Sequence, residues 1–256
     1  MENSLPSRFR DPEREYRILT RRQLTADVWE LRLRPDRPLE EAPGPGQFVN
    51  VSVPGLYLRR PISVCDGDRD ALTLVFRAVG RGTEAMSRLE PGNTLDILTG
   101  LGNGFDTART GPRPLLLGGG LGAAPLYLLA KRLLEEGKEP VVVLGFNRAA
   151  EAFYEREFTL LGCRVVLCTA DGSRGVRGFV TDAIPDGYTH VCACGPLPML
   201  RAADAAVTTD GQFSFEERMG CGFGACMGCT RRMKSGPKRV CRDGPVFGRE
   251  ELAWDD

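Results

Sequence analysis

The segment PLLLGGGLGAAPLYLLA, from Pro114 to Ala130, changes its periodicity in the middle. The first half is an unbroken apolar run closed by three glycines, the pattern of a strand buried on both faces. The second half continues through KRLLEEG as an apolar-striped helix that stops at Gly137. The chain beyond Gly137 repeats the alternation: strand PVVVLGF, helix EAFYEREFTLLG, strand CRVVLCT, a short helix after Gly178, strand THVCACG and helix LPMLRAADAAV. Alternating strands and helices predict a parallel sheet covered on both faces by helices. After Gly211 comes one more strand, QFSFEE, and then a Gly- and Cys-rich tail too irregular for a hydrophobic core.

Toward the N-terminus the pattern differs. Between Tyr16 and Thr99 lie six short alternating runs, YRILTRRQL, DVWELRLRP, QFVNVSV, PISVCD, ALTLVFRAV and TLDILTG, with one helical insert at Thr83–Leu89. Turn-rich pieces separate them, which predicts an antiparallel barrel or sandwich. Residues before Tyr16 are polar and aperiodic. The expected division is a flexible tail at 1–13, a β-barrel at 14–109, an α/β domain at 110–210 and a small cysteine domain at 211–256.

The 256 residues carry 34 Lys+Arg and 34 Asp+Glu, so no basic surface argues for nucleic acid. The longest uncharged stretch, Pro114–Ala130, holds four glycines and two prolines and is a poor membrane span. The N-terminus lacks the apolar core of a signal peptide, so a cytoplasmic location is expected. Nine cysteines against one histidine exclude most hydrolytic machinery, including Ser-His-Asp and HExxH arrangements. His190, inside a strand-like run, reads as a packing residue.

Four of the cysteines stand in the tail as Cys221-x4-Cys226-x2-Cys229-x11-Cys241. That spacing is the one plant-type [2Fe–2S] sites use, three thiolates on one tight loop and a fourth from outside. Gly222, Gly224 and Gly228 let the backbone wrap closely and turn N–H groups toward sulfur. Zinc on the same four thiolates is the competing reading, but zinc usually takes two short CxxC knuckles and only one is present.

Three weaker constellations accompany the tail. Gly118, Gly119, Gly120 and Gly122 sit between a buried strand and a helix, where a phosphate-bearing ligand approaches backbone, or where helix and strand simply cross closely. Cys194-Gly195-Pro196 ends a later strand, at the sheet edge where parallel sheets bind ligands. In the barrel, Arg60-Pro61-Ile62-Ser63, Val75-Phe76-Arg77 and Gly82-Thr83 would together cradle a diphosphate and present an extended edge to a planar ring.

Taken in order, RPIS (60–63), GRGT (80–83), LGNGF (101–105), GGGLGAAP (118–125), CGP (194–196), EERMGCGFGACMGC (216–229) and CRDGPVF (241–247) resemble the electron-transfer subunits of class 1B dihydroorotate dehydrogenases. These belong to the ferredoxin–NADP⁺ reductase superfamily, and the likeness runs from about Tyr16 to Phe247. The resemblance implies FAD on Arg60–Ser63, Val75–Arg77 and Gly82–Thr83, with Ser63 near the reactive flavin nitrogen. It implies NAD on the glycine turn and the 194–196 edge, and a [2Fe–2S] cluster on the four tail cysteines. It also implies an FMN-containing catalytic subunit, two of each chain, and a place in de novo pyrimidine biosynthesis. No residue suits the role of a base toward orotate. The small subunits of ferredoxin:NAD(P) reductases and sulfide dehydrogenases share the first two domains and are the alternative. A zinc-stabilised binding module without redox function is a third reading. Asp171 would repel a 2′-phosphate, whereas Arg148 and Arg174 could accept one. Phe223, Met227, Val246 and Phe247 are expected to form an apolar docking face.

Overall fold

The computed structural model describes residues 13–254; the tail expected at 1–13 lies outside them except for Glu13. Six antiparallel strands come first: β1 (Glu13–Gln23), β2 (Val28–Pro35), β3 (Phe48–Val51), β4 (Arg60–Gly67), β5 (Leu72–Arg77) and β6 (Thr94–Leu101). They close in the order β1-β2-β5-β4-β3-β6, which leaves no open edge. The strict alternation of β2 explains why it pairs in one register: Leu31 and Leu33 face inward while Arg32 and Arg34 face water. Tyr16, Ile18, Leu31, Leu33, Leu74 and Phe76 fill the barrel. Helix α1 (Arg81–Ser87) adds the fully buried Met86 to that core. It begins two residues before the expected Thr83, because the extended backbone of Gly80 releases the chain into the turn.

The second layer holds β7 (Pro114–Gly119), α2 (Ala123–Glu135), β8 (Val141–Phe146), α3 (Glu155–Leu161), β9 (Arg164–Thr169), β10 (Val176–Arg177), β11 (His190–Cys194), α4 (Leu197–Ala206) and β12 (Gly211–Ser214). The sheet order is β10-β9-β8-β7-β11-β12, all parallel. The chain works outward from β7 to β10 and then returns to β11 on β7's other side. The switch point therefore lies between β7 and β11. Helix α3 is shorter than expected, because Tyr154 adopts a left-handed conformation (φ 67°) that aims its hydroxyl at Glu30 Oε2, 2.6 Å away on the barrel. The short helix after Gly178 is a single 3₁₀ turn, Val180–Ala183.

The tail departs from expectation. It contains a hairpin, β13 (Thr230–Met233) and β14 (Gly236–Arg239), a turn of helix α5 (Val240–Asp243) and strand β15 (Val246–Gly248). β15 adds antiparallel to β12, so the tail closes the sheet instead of hanging from it. Met233, Val240, Phe247 and Leu252 are buried in one cluster with Phe213 and Phe215. A short hairpin cannot enclose a core by itself, but it can cover the apolar side of a strand that is already ordered. Among the described residues no helix is long and apolar enough to cross a membrane.

Candidate redox site

Residues 221–229 form a loop in which Gly222 (φ 80°), Gly224 (φ 91°) and Met227 (φ 62°) take left-handed backbone. These turns bring peptide N–H groups onto sulfur. Cys221 Sγ accepts from Ala225 N at 3.2 Å and Cys226 N at 3.4 Å, and Cys229 Sγ accepts from Cys241 N at 3.4 Å. Side-chain contacts group the thiols as two pairs, Cys221 with Cys226 and Cys229 with Cys241. Among the described residues no three Cys, His, Asp or Glu side chains converge as a single ion would require. Two thiol pairs with backbone donors instead fit a group of two metals, so the donor set suits an iron–sulfur cluster. Burial works against the Cys221 thiolate, yet the backbone donors of Cys226 and Phe223 outweigh it and bring the thiol down to about 6. Burial, reinforced by Cys229, pushes Cys241 up to about 12.

The loop is strapped to the barrel. Asn50 Nδ2 on β3 donates to the Cys221 carbonyl at 3.0 Å. Asn103 N donates to Gly244 O at 2.8 Å, Asn103 Nδ2 donates to Asp243 O at 3.0 Å, and Val246 N returns a bond to Asn103 Oδ1 at 3.3 Å. The runs LGNGF and DGPVF, far apart in sequence, are two halves of one joint. Arg239 supports the other side through Gly224 O at 2.8 Å.

On the barrel, β4 serves two neighbours. Its partners on β5 run only from Val64/Leu74 to Gly67/Leu72, while Arg60–Ser63 pair with β3. Strands β4 and β5 therefore part where Arg60–Ser63 and Val75–Arg77 would otherwise meet. The Arg60 guanidinium folds over Gly82, where a Cβ would collide with it, and bonds the Leu58 carbonyl. The structure thus brings the RPIS edge and the Gly82–Thr83 turn together. Thr83 Oγ1 donates to Gly80 O at 3.2 Å and accepts from Val79 N at 3.1 Å. The side chains of Val75 and Phe76 are core, and Arg77 pairs with Asp27 at 3.2 Å, so this segment offers mainly backbone. Residue reading missed Tyr57, Leu58 and Val79, which stand exposed around the same gap. Apolar residues flanking an Arg–Gly cradle were the available signal.

At the switch point, β7 and β11 place Gly118 beside Cys194. A Cβ on Gly122 would strike the Cys194 carbonyl, and one on Gly119 would strike Met199. These glycines allow two backbones to approach, whereas Gly120 (φ 53°) faces open space. Cys194 is buried and its thiol is pushed up to about 12 by that burial. Beyond β8 and β9, Arg148 is held by Glu151 at 2.7 Å and Arg174 by Glu155 at 2.6 Å, while Asp171 is fixed by Ser173. His190 is buried, 3.1 Å from Gln212 Nε2, and stands apart from these edges as a packing residue.

The expected docking face divides. Phe223 and Met227 are 48% and 57% exposed, but Val246 and Phe247 are 5% and 2% exposed because β15 turns them into the core. The five cysteines outside the tail motif, Cys65, Cys163, Cys168, Cys192 and Cys194, are all buried.

Comparison with known proteins bears on the same two regions. The family model for the iron-sulfur cluster binding domain of dihydroorotate dehydrogenase B matches residues 216–253, and that for the oxidoreductase NAD-binding domain matches 116–205. Among solved structures, an NADH-dependent reduced ferredoxin-NADP oxidoreductase superposes with TM-score 0.83 at 28% identity, over 93% of this chain and 90% of that one. The cytochrome b5 reductase domain of Ulva prolifera nitrate reductase shares the fold at TM-score 0.60 and 17% identity, over 74% and 91%. The "Dihydroorotate dehydrogenase B (NAD(+)), electron transfer subunit" of Geobacillus sp. is 43% identical over 92% of this chain and 96% of its own length. Its counterpart in Fusobacterium nucleatum is 39% identical over 88% and 92%. A likeness of that strength along both whole chains, carried by the strapped thiol loop as much as by the nucleotide sheet, means that the protein belongs to the family of dihydroorotate dehydrogenase B electron transfer subunits.

Proposed function

We propose that this chain carries electrons from the catalytic subunit of an NAD-linked dihydroorotate dehydrogenase to NAD⁺. Cys221, Cys226, Cys229 and Cys241 would hold one [2Fe–2S] cluster. Arg60–Ser63, the backbone of Val75–Arg77 and Gly82–Thr83 would hold FAD, and Gly118–Gly122 with Cys194–Pro196 would hold the nicotinamide dinucleotide. The observation that carries the reading is the strapped loop: two thiol pairs with peptide donors on sulfur, tied to the strand beside the RPIS edge. FAD supplies the conversion between the two-electron hydride chemistry of the nicotinamide and the one-electron chemistry of the cluster.

The chain's own residues bind and exclude. Arg60 supplies a cation that can swing from the Leu58 carbonyl to a diphosphate, and Tyr57, Leu58 and Val79 would be covered by the flavin. Gly120 and the 195–196 edge offer backbone to the dinucleotide. Glu151 and Glu155 occupy the two arginines that could take a 2′-phosphate, which favours NAD over NADP. The three-part division at 14–109, 110–210 and 211–256 matches these three tasks.

The partner would be an FMN-containing catalytic subunit seated over Phe223 and Met227, two of each chain in the complex, in the cytoplasm and serving pyrimidine biosynthesis. The test begins with iron, acid-labile sulfide and flavin assays on anaerobically purified protein. Two irons and one FAD per chain are expected; zinc, or four irons, would falsify the cluster assignment. Dihydroorotate-dependent NAD⁺ reduction after mixing with the catalytic subunit separates this reading from a ferredoxin:NAD(P) reductase or sulfide-dehydrogenase small subunit. Arg60→Ala should weaken FAD binding by about 1.5–3 kcal/mol, roughly ten- to hundredfold, measured by equilibrium dialysis. Unchanged retention would move the diphosphate elsewhere.

A further inference from the structure

Asn50 is a buried amide that packing does not explain. It lies on β3 at 1% exposure, between Pro61 of β4 on one side and Leu98 of β6 on the other. Its Nδ2 reaches out of the barrel to the Cys221 carbonyl at 3.0 Å. Its Oδ1 has no hydrogen-bond partner among the described residues. A buried acceptor left unpaired lowers stability, and a leucine of similar size would carry no such penalty. The loop meets the amide closely: a Cβ at Gly222 would stand 2.5 Å from Nδ2. Only glycine there, in its left-handed backbone, lets the thiol loop come down onto the barrel.

The position matters as much as the bond. Asn50 pairs in register with Pro61, inside the RPIS edge, and its side chain holds the peptide of the first thiol. One side chain therefore bridges the two edges between which an electron has to pass. We propose that Asn50 is a positioning residue that clamps Cys221 to the barrel and so sets the cluster-to-flavin separation and the cluster's local environment. This rests on the cofactor assignment above.

Asn50→Leu keeps the volume and removes the donor; Asn50→Asp keeps the shape and turns a carboxylate toward a carbonyl. With anaerobic holoprotein and NADH as reductant, two electrons enter as hydride, NAD⁺ leaves, and one electron is read at the cluster by its loss of visible absorbance. The leucine variant should retain iron and flavin and melt no lower than the parent. Its flavin-to-cluster step should slow at least tenfold, with an altered electron paramagnetic resonance spectrum of the reduced cluster. The aspartate variant should in addition lower the cluster's midpoint potential, because negative charge opposes reduction. Unchanged spectrum and rate in both variants would overturn the proposal while leaving the cofactor assignment intact. Iron loss from Asn50→Leu calls for Asn50→Ala, which adds no apolar bulk; iron loss from both would also overturn it, making Asn50 a folding support. A parent without flavin and two irons would overturn the cofactor assignment and this proposal together.

Discussion

The nine cysteines fall into two environments that share only their residue type. Cys168, Cys192 and Cys194 sit on strands of the parallel sheet, buried from every side, and burial raises their thiols well above the usual value. They are small hydrophobes. The tail cysteines lie on a loop with left-handed glycines and run from the exposed Cys226 to the buried Cys241. There the backbone aims N–H groups at sulfur, and Cys221 comes down to about 6. Desolvation and directed donors act oppositely on a thiol, so the backbone, and not the cysteine, separates inert from ligating sulfur.

The harshest way to break this contrast is substitution within each set. Cys229→Ser or Cys241→Ser should lose most of the iron and reduce NAD⁺-linked turnover by more than the roughly 10–100-fold expected on losing a supporting group outside a metal's own ligands. Cys192→Ala should keep both. Iron loss from the sheet variant, or its retention in the tail variants, would end the distinction.

Within the tail, the exposed and buried aromatics sharpen the same point. Phe223→Asp combined with Met227→Asp should weaken association with the catalytic subunit by about 2 kcal/mol, roughly thirtyfold, in a titration with iron content unchanged. Phe247 is 2% exposed and 6.0 Å from the Phe215 ring, so Phe247→Asp should depress folding instead. Equal binding by parent and double variant would remove Phe223 and Met227 from the interface.

A smaller effect is expected from Cys192→Ala on stability. Deleting a buried sulfur leaves a small cavity, worth about 1–2 kcal/mol, or a few degrees in melting temperature at this chain length. A loss no larger than that of an exposed surface change would mean that the sheet thiols are not packed as described.

The smallest expected effect concerns His190. Burial lowers its pKa below the ordinary 6.5, so the unfolded chain takes up the proton first. Its contribution is complete above about pH 6.5 and is lost as the pH falls toward the folded value. His190→Gln should therefore show a slightly flatter decline in melting temperature between about pH 7 and 5.5 than the parent. An identical decline would show that the histidine does not titrate in that window.

Much of the molecule was legible as local pattern. The six barrel strands, the βα alternation from Pro114 and the x4-x2-x11 cysteine spacing depend on neighbours within a few residues, where periodicity and glycine placement carry the information. The RPIS edge and the Gly82 turn were also readable, but only as separate weak pieces. Their meeting under the Arg60 guanidinium is a contact across 22 residues of chain that no local pattern encodes.

Sequence by itself determined the element types, the thiol set and the family, because each is written in residue spacing. Tertiary structure alone decided that β15 returns to β12 and buries Phe247, that Tyr154 breaks α3 to reach Glu30, and that glycines 119 and 122 serve a backbone crossing. It also decided that Asn50 faces Cys221, 171 positions away. The physical reason is common to all of these. A side chain's burial and hydrogen-bond partners depend on which distant segment arrives beside it, and that is settled only when the whole chain has packed.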